Sequence, residues 1–359
     1  MKKVCILSAV NIKHMSMISI YTDILKREKV DFDIIYMDKY GEDEAFECAH
    51  KYRYENVVDA DLPRVVKMFK YMMFLPYAIS ILEKNKYDFV IVWNDVAIFI
   101  FADYLSNRYK RKYCLNVRDN MMYDKKFFQK RYRKVFLNSV FNTISSEGYL
   151  RFLPKGPQYL PIHSLNLSAI ETMQRKCSFV KKGRPIRIGF IGYVRFFDTN
   201  KKLLDVFAND ERFEVHFYGK KANQLKSYAQ ENNIKNAVFH DSFPVEDTAM
   251  YLEKIDIMNN LYGNDTLNLQ TAISIKFYHA VYARIPILVC KNTYIGKLAQ
   301  KLNIGFEVVS IDNEMKENLL VWYQNLDFEK FSETCDRYLD NIKQINDAFQ
   351  EKMVKYLRN

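Results

Sequence analysis

None of the six cysteines (Cys5, Cys48, Cys114, Cys177, Cys290, Cys335) belongs to a CxxC pair, and none falls with a histidine at zinc-ligand spacing. This excludes a disulfide framework and a structural zinc site, and it predicts a reducing, cytoplasmic setting with no metal. No apolar run approaches the roughly 20 residues that cross a bilayer, so no spanning segment is expected. The basic start MKKVCILSAVNIKH lacks the small-residue cleavage site of a signal peptide and reads as a first buried strand. Short-period repeats, low-complexity tracts and useful coiled-coil heptads are missing as well. Glycine is scarce, with 10 residues against 26 Tyr and 26 Phe, and the early loop SAVNIKHMS contains none.

What is present is a chain of 359 residues, too long for one ordinary core, with 49% hydrophobic and 27% charged residues. Two folded domains are expected. Apolar runs alternate with helical patterns from the start: KVCILSAV, a helix around MISIYTDILKRE, then FDIIYM. YDFVIVW, KYCLNV and VFNTISS continue the series, with a helix around IFIFADYLSNRY. Strands alternating with helices imply a parallel sheet covered on both faces. A polar stretch bounded by prolines, PIHSLNLSAIETMQRKCSFVKKGRP, reads as a linker, after which IRIGFIG, FEVHFYG, AVFHDSF, IDIMNNLYG and IPILVC restart the alternation. The expected division is 1–165, a linker 166–185, a second domain 186–335 and a terminal amphipathic helix 336–359 that packs back on the first domain.

Open parallel sheets hold ligands at the carboxyl ends of their strands, so the loops after the strands carry the candidates. In GFIGYVRFFDTNKK, Gly192 closes a strand, Tyr193 and Arg195 follow, and a helix is expected from near Asn200. Glycine allows close backbone approach to a phosphate, a helix N-terminus offers unpaired N–H groups, and arginine adds a forked donor. A plain tight turn with a surface arginine would look the same. FYGKKAN places Gly219 and Lys220 after the next strand, where a solvated basic loop is the simpler reading. In SIKFYHAVYARIPILVC, Lys276 and His279 share one face at the start of a helix. A lysine there is disfavoured by the helix dipole unless an anion faces it, and an anionic ligand is therefore expected. A snorkelling lysine beside a satisfied core histidine is the plain alternative.

These blocks together resemble the nucleotide-sugar domain of GT-B glycosyltransferases, especially bacterial enzymes that build capsular and other surface polysaccharides. The resemblance rests on IRIGFIGYVRFFDTNKKLLD, on FYGKKANQLKSYAQENNIKNAVFHDSFPVEDTAMYLEKIDIMNN and on SIKFYHAVYARIPILV, and it covers about residues 186–310. It implies an α/β fold of two doubly wound Rossmann-like domains facing each other across a cleft, with Lys276 on the donor diphosphate and residue 279 on the ribose. Residue 279 is histidine where an acid is usual, and Thr271 stands where many relatives carry glutamate. On the acceptor side the candidates are Asp119 and Arg118 in NVRDN, Asp95 after VIVWN, and His14 in the first loop. Asp119 is the expected general base, although an aspartate there can equally be a cap or turn residue.

The formal charge of +11 calls for an anionic partner. RYKRKYCLNVRDNMMYDKKFFQKRYRK is basic and interleaved with aromatics, and KMFKYMMFLPYAI upstream is apolar with flanking lysines. Such a surface suits peripheral attachment to the anionic inner face of the plasma membrane. No RNP motif, zinc finger or clear helix-turn-helix supports nucleic acid as the partner. The resulting expectation is a metal-independent transfer of a sugar from a nucleotide-diphosphate donor to a lipid-linked polysaccharide precursor, with Arg195, Lys276 and Asp119 as the catalytic group. The alternatives are a catalytically silent relative that binds sugar nucleotides or scaffolds polysaccharide assembly, and a basic adaptor for polyanions.

Overall fold

The computed structural model describes residues 2–15, 17–59, 61–165, 167 and 169–359. They divide into two compact units, residues 1–163 with 344–359, and residues 164–343.

Unit 1 is built on β1 (Val4–Ser8), α1 (Ser19–Arg27), β2 (Phe32–Asp38), β3 (Lys51–Glu55), α2 (Arg64–Asn85), β4 (Phe89–Trp93), α3 (Asp95–Arg108), β5 (Tyr113–Val117), α4 (Lys126–Asn138), β6 (Phe141–Ile144) and β7 (Leu160–Pro161). The strands form one seven-stranded sheet in the order β3-β2-β1-β4-β5-β6-β7, and the pairings are parallel. Central strands such as VCILS and FVIVW are buried along their whole length, as expected of strands covered on both faces. At the edge, β3 (KYRYE) is only half-buried, which suits a strand that borders solvent.

Unit 2 follows with β8 (Ile186–Ile191), α5 (Phe197–Phe207), β9 (Phe213–Tyr218), α6 (Ala222–Glu231), β10 (Ala237–His240), α7 (Thr248–Glu253), β11 (Ile257–Asn260), α8 (Leu267–Thr271), α9 (Ile275–Ala283), β12 (Ile287–Cys290), α10 (Tyr294–Lys301), β13 (Gly305–Val308) and α11 (Asn313–Gln324). Its six parallel strands run β10-β9-β8-β11-β12-β13. Apolar cores lie on both faces of this sheet. The proline-bounded stretch read as a linker belongs to this unit from Ser164 onward: Ile170 and Met173 are buried in its core, and Lys181 donates to the carbonyls of Tyr323, Gln324 and Leu326.

The chain ends in α12 (Phe328–Arg358), a single 31-residue helix. Its first turns bury Phe331 and Cys335 in the core of unit 2, and its last turns bury Phe349 and Met353 among Tyr21, Ile24 and Leu25 of unit 1. In both sheets the strand order reverses direction beside the first strand, between β1 and β4 and between β8 and β11. Loops leaving the sheet at such a switch point diverge and open a crevice at the carboxyl edge.

One helix departs from expectation. Among the described residues, Val65–Asn85 is long and apolar enough to cross a membrane by length and composition. The sequence hid this because Lys67 and Lys70 break the run. Its inner face is nonetheless built into unit 1, with Phe74 edge-on to Phe101 and Tyr77 donating to the carbonyl of Arg53.

Candidate functional site

The site in unit 2 sits at its switch point. Beyond β8 the chain turns at Gly192, whose φ of +113° lies in the region that favours glycine. Gly219, beyond β9, has a φ of +136°, and a Cβ there would lie 2.1 Å from the Gly192 carbonyl oxygen. Only glycine lets the two loops cross so closely. The Gly192 amide donates to the Tyr218 carbonyl at 2.7 Å and the Val194 amide to the Lys220 carbonyl at 3.0 Å, so each loop holds the other. Gly219 thus shapes the Gly192 loop through its missing side chain.

Lys276, the second residue of α9, is buried, and its ammonium lies 4.2 Å from the centroid of Phe190 and donates to the Tyr262 hydroxyl at 2.6 Å. Tyr262 in turn stacks on Phe196 with ring centroids 5.0 Å apart. Among the described residues no carboxylate forms an ion pair with Lys276; a tyrosine hydroxyl and two ring faces are its company. A buried cation is costly unless paired, and this one stands beside a glycine: a Cβ at Gly192 would lie 3.6 Å from its Nζ. The first turn of α9 is also open. Its N-cap, Ser274, makes no side-chain cap bond because its hydroxyl donates to the Asn260 side chain at 2.6 Å. Uncapped N–H groups and a buried ammonium together favour an oxyanion.

His279 lies one turn along α9, buried, with its Nε2 lacking a hydrogen-bond partner among the described residues. Burial, assisted by the Lys276 charge, pushes its pKa down to about 4, so the ring is neutral at pH 7. Neutral imidazole can donate or accept toward a hydroxyl. Thr271 is buried at the end of α8, where its hydroxyl donates to the Leu267 carbonyl at 2.6 Å.

Tyr193 and Arg195 are exposed in the Gly192 loop. The Arg195 guanidinium lies 5.2 Å from the Tyr193 ring centroid and the Lys221 ammonium 5.1 Å from it. Hydrogen bonding to Lys221 and the charges of Lys220 and Arg195 hold the Tyr193 phenol below its ordinary pKa, so three cations converge on this loop. The loop is anchored from below, where Asn200 donates to the Arg195 carbonyl at 2.7 Å and Asn259 reaches Asn200 at 3.3 Å. The helix begins at Phe197, three residues ahead of the expected Asn200, because Phe196 takes a left-handed conformation with φ +56° and starts the turn early. Sequence reasoning missed Tyr262, Asn259, Asn260 and Ser274. The signal was two asparagines closing a buried strand, IMNN, where a core strand has no use for amides.

Unit 1 holds its candidates at its own carboxyl edge. Asp95, the first residue of α3, is buried and accepts from the Tyr123 hydroxyl at 2.8 Å and the Arg118 amide at 3.1 Å. Burial first, and then the Asp119 charge, raise its pKa to about 7 despite these bonds. Asp119 is exposed between the half-buried Arg118 and Asn120; partial desolvation by its surroundings raises its carboxyl above the usual range, against the Asn120 amide, which donates to it at 2.9 Å. The Arg118 guanidinium lies 5.7 Å from the Trp93 ring centroid, and the Arg118 carbonyl accepts from Tyr149. His14 ends a short 3₁₀ turn and contacts the Tyr40 hydroxyl at 2.9 Å; burial and the charges of Lys39 and Lys13 lower its pKa. The structure thus places Asp95, Asp119 and Arg118 side by side in unit 1, and Gly192, Lys276 and His279 together in unit 2.

The two switched parallel sheets are the GT-B fold, and solved structures share it. WaaG, a glycosyltransferase involved in lipopolysaccharide biosynthesis, superimposes with a TM-score of 0.64 at 12% identity over 97% of this chain and 98% of its own. HepE of Anabaena, solved in complex with UDP and glucose, gives 0.64 at 12% identity over 99% of this chain and 100% of its own. The UDP-GlcNAc 2-epimerase of Neisseria meningitidis, bound to UDP-GlcNAc, gives 0.52 at 11% identity over 95% and 100%. No family model matches the sequence. No curated protein matches it either.

Proposed function

We propose that this protein is a glycosyltransferase that binds a nucleoside-diphosphate sugar in unit 2 and transfers the sugar to the hydroxyl of a surface-polysaccharide precursor carried on a lipid. The observation that carries the reading is Lys276, a buried ammonium without a carboxylate partner among the described residues, beside Gly192 at the uncapped start of α9. It is supported by two neighbours of the same fold, one solved with UDP and glucose and one a glycosyltransferase involved in lipopolysaccharide biosynthesis.

In this reaction the acceptor oxygen forms a bond to the anomeric carbon, and the bond from that carbon to the diphosphate oxygen breaks. Negative charge grows on the departing diphosphate, and Lys276, the α9 amides and Arg195 stabilise it there, with protein cations alone meeting that charge. Tyr193, Gly219 and Lys220 shape and charge the loop that faces the donor, and His279 meets the ribose. Asp119 takes the acceptor proton; its raised pKa brings it nearer to the working pH of a general base. His14, Asp95 and Arg118 line the acceptor side, and the protein works in the cytoplasm at the inner membrane face.

A second reading has its own observation. At the two positions where the resemblance to GT-B glycosyltransferases implies acids, Thr271 donates its hydroxyl to a helix carbonyl and His279 is neutral. A protein that binds sugar nucleotides without turnover fits that pair. Calorimetry with UDP, UDP-glucose and UDP-GlcNAc, followed by a radiolabelled donor-turnover assay, separates the readings: binding with release of nucleotide supports transfer, binding alone supports the silent relative, and no binding refutes both.

A further inference from the structure

We propose that Asn200, Asn259 and Asn260 are positioning residues of the donor site, which hold the Arg195 loop and the first turn of α9 in register from opposite faces of the sheet. The proposed diphosphate contacts of Lys276 and Arg195 are its premise. All three amides are buried, Asn200 and Asn259 at 1% exposure and Asn260 at 3%. A buried amide is costly unless its partners are in place, so each needs a reason. Side chains along a strand alternate between the two faces of its sheet. Ile257 of β11 and Leu261 just beyond it share a core with Leu203 and Leu204 of α5, whereas Met258 shares one with Phe277 of α9. Asn259 therefore faces α5, and Asn260 faces α9.

On the α5 face, the Asn259 Oδ1 accepts from the Leu261 amide at 3.0 Å, and its Nδ2 donates to the Asn200 Oδ1 at 3.3 Å. Asn200 donates in turn to the carbonyls of Arg195, at 2.7 Å, and Phe196, at 3.2 Å. These two bonds close the turn in which Phe196 is left-handed. The residue after Leu261 is Tyr262, whose hydroxyl receives the Lys276 ammonium and whose ring stacks on Phe196. An unbroken line thus joins the two cations, from Lys276 to Tyr262, along the backbone to Asn259, across to Asn200 and on to the Arg195 carbonyl. On the α9 face, the Asn260 Oδ1 occupies the Ser274 hydroxyl at 2.6 Å, which would otherwise be placed to cap the helix. Asn260 thereby leaves the first turn of α9 open to an oxyanion. Leucines of similar volume would fill the same space and perform neither task. Buried as they are, the three amides act through the groups they hold.

The test is calorimetry with UDP on the full chain, with melting temperatures measured alongside. Asn200→Ser is expected to weaken UDP binding about tenfold, yet to add less than about twofold in an Arg195→Gln background, because it acts through that loop. A residue that merely supports the fold would weaken both backgrounds equally. Asn260→Leu should release Ser274 to cap α9, so the melting temperature holds while UDP affinity falls about fivefold. Asn259→Ser reads the same link from its other end if Asn200→Ser melts early. Variants that bind UDP as tightly as the wild type, or losses at 195 and 200 that multiply, would overturn the proposal. A wild type that binds no UDP overturns the diphosphate site itself and this proposal with it, so the wild-type titration tells the two failures apart.

Discussion

Replacing Lys276 by methionine keeps the length of the side chain and removes only its charge. In the free protein this deletes one hydrogen bond, to Tyr262 at 2.6 Å, and also relieves a buried ammonium that has no carboxylate partner among the described residues. The first effect costs about 0.5–1.5 kcal/mol and the second offsets it, so the melting temperature should hold within a few degrees. With a diphosphate bound the balance changes, because a charge-assisted hydrogen bond contributes about 1.5–3 kcal/mol. At about 1.4 kcal/mol per tenfold, the affinity for UDP should fall roughly 10- to 150-fold. Calorimetry with UDP and thermal melts with and without it read both quantities. Opposite behaviour, a large loss of melting temperature with unchanged affinity, would show that Lys276 is a structural lysine and that the diphosphate site lies elsewhere.

Gly219→Ala must push a Cβ to within 2.1 Å of the Gly192 carbonyl oxygen, so it should cost about 3 kcal/mol or more in urea unfolding and abolish UDP binding; a variant of native stability contradicts the crossing of the two loops. His279, held neutral with its pKa down at about 4, binds its proton later than the unfolded chain does near 6.5. The stability it supports is full above pH 6.5 and is lost as pH falls toward 4, by up to roughly 3 kcal/mol. His279→Gln should flatten that part of the pH–stability curve, and an identical curve refutes the burial argument. Asp95 works the other way. Its pKa, raised to about 7, means that its contribution falls as pH rises from 4 to 7, so the stability of Asp95→Asn relative to wild type should climb across that window in melts, and a constant difference rejects the shift.

The sequence disclosed the alternation of strands and helices because central parallel strands are almost wholly apolar, as in VCILS and FVIVW. It hid β3, whose KYRYE is an edge strand with no apolar run, and β13, whose GFEV is short and half-polar. It also hid the nature of α2, since a helix that is apolar on both its buried and its exposed sides shows no helical periodicity to read. Lys276 and His279 stood out because polar groups inside an apolar run are conspicuous. Tyr262 did not, because a tyrosine in a loop of a tyrosine-rich chain signals nothing until the fold brings its hydroxyl to a lysine. The basic stretch around residues 108–134 proved partly ordinary, with Arg108 paired to Glu83 and Arg131 to Asp103.

The path of α12 bears on how the protein is made. Residues 1–163 leave the ribosome before residues 164–343, yet the wall that Tyr21, Ile24 and Phe141 lean on is written in Phe349, Met353 and Tyr356, beyond the whole of unit 2. Residues 1–163 must therefore wait, with an open seam beside their sheet, until α12 has been synthesised. A gene fragment stopped at residue 163 should yield an aggregating polypeptide, whereas supplying residues 344–359 as a separate peptide should rescue its solubility.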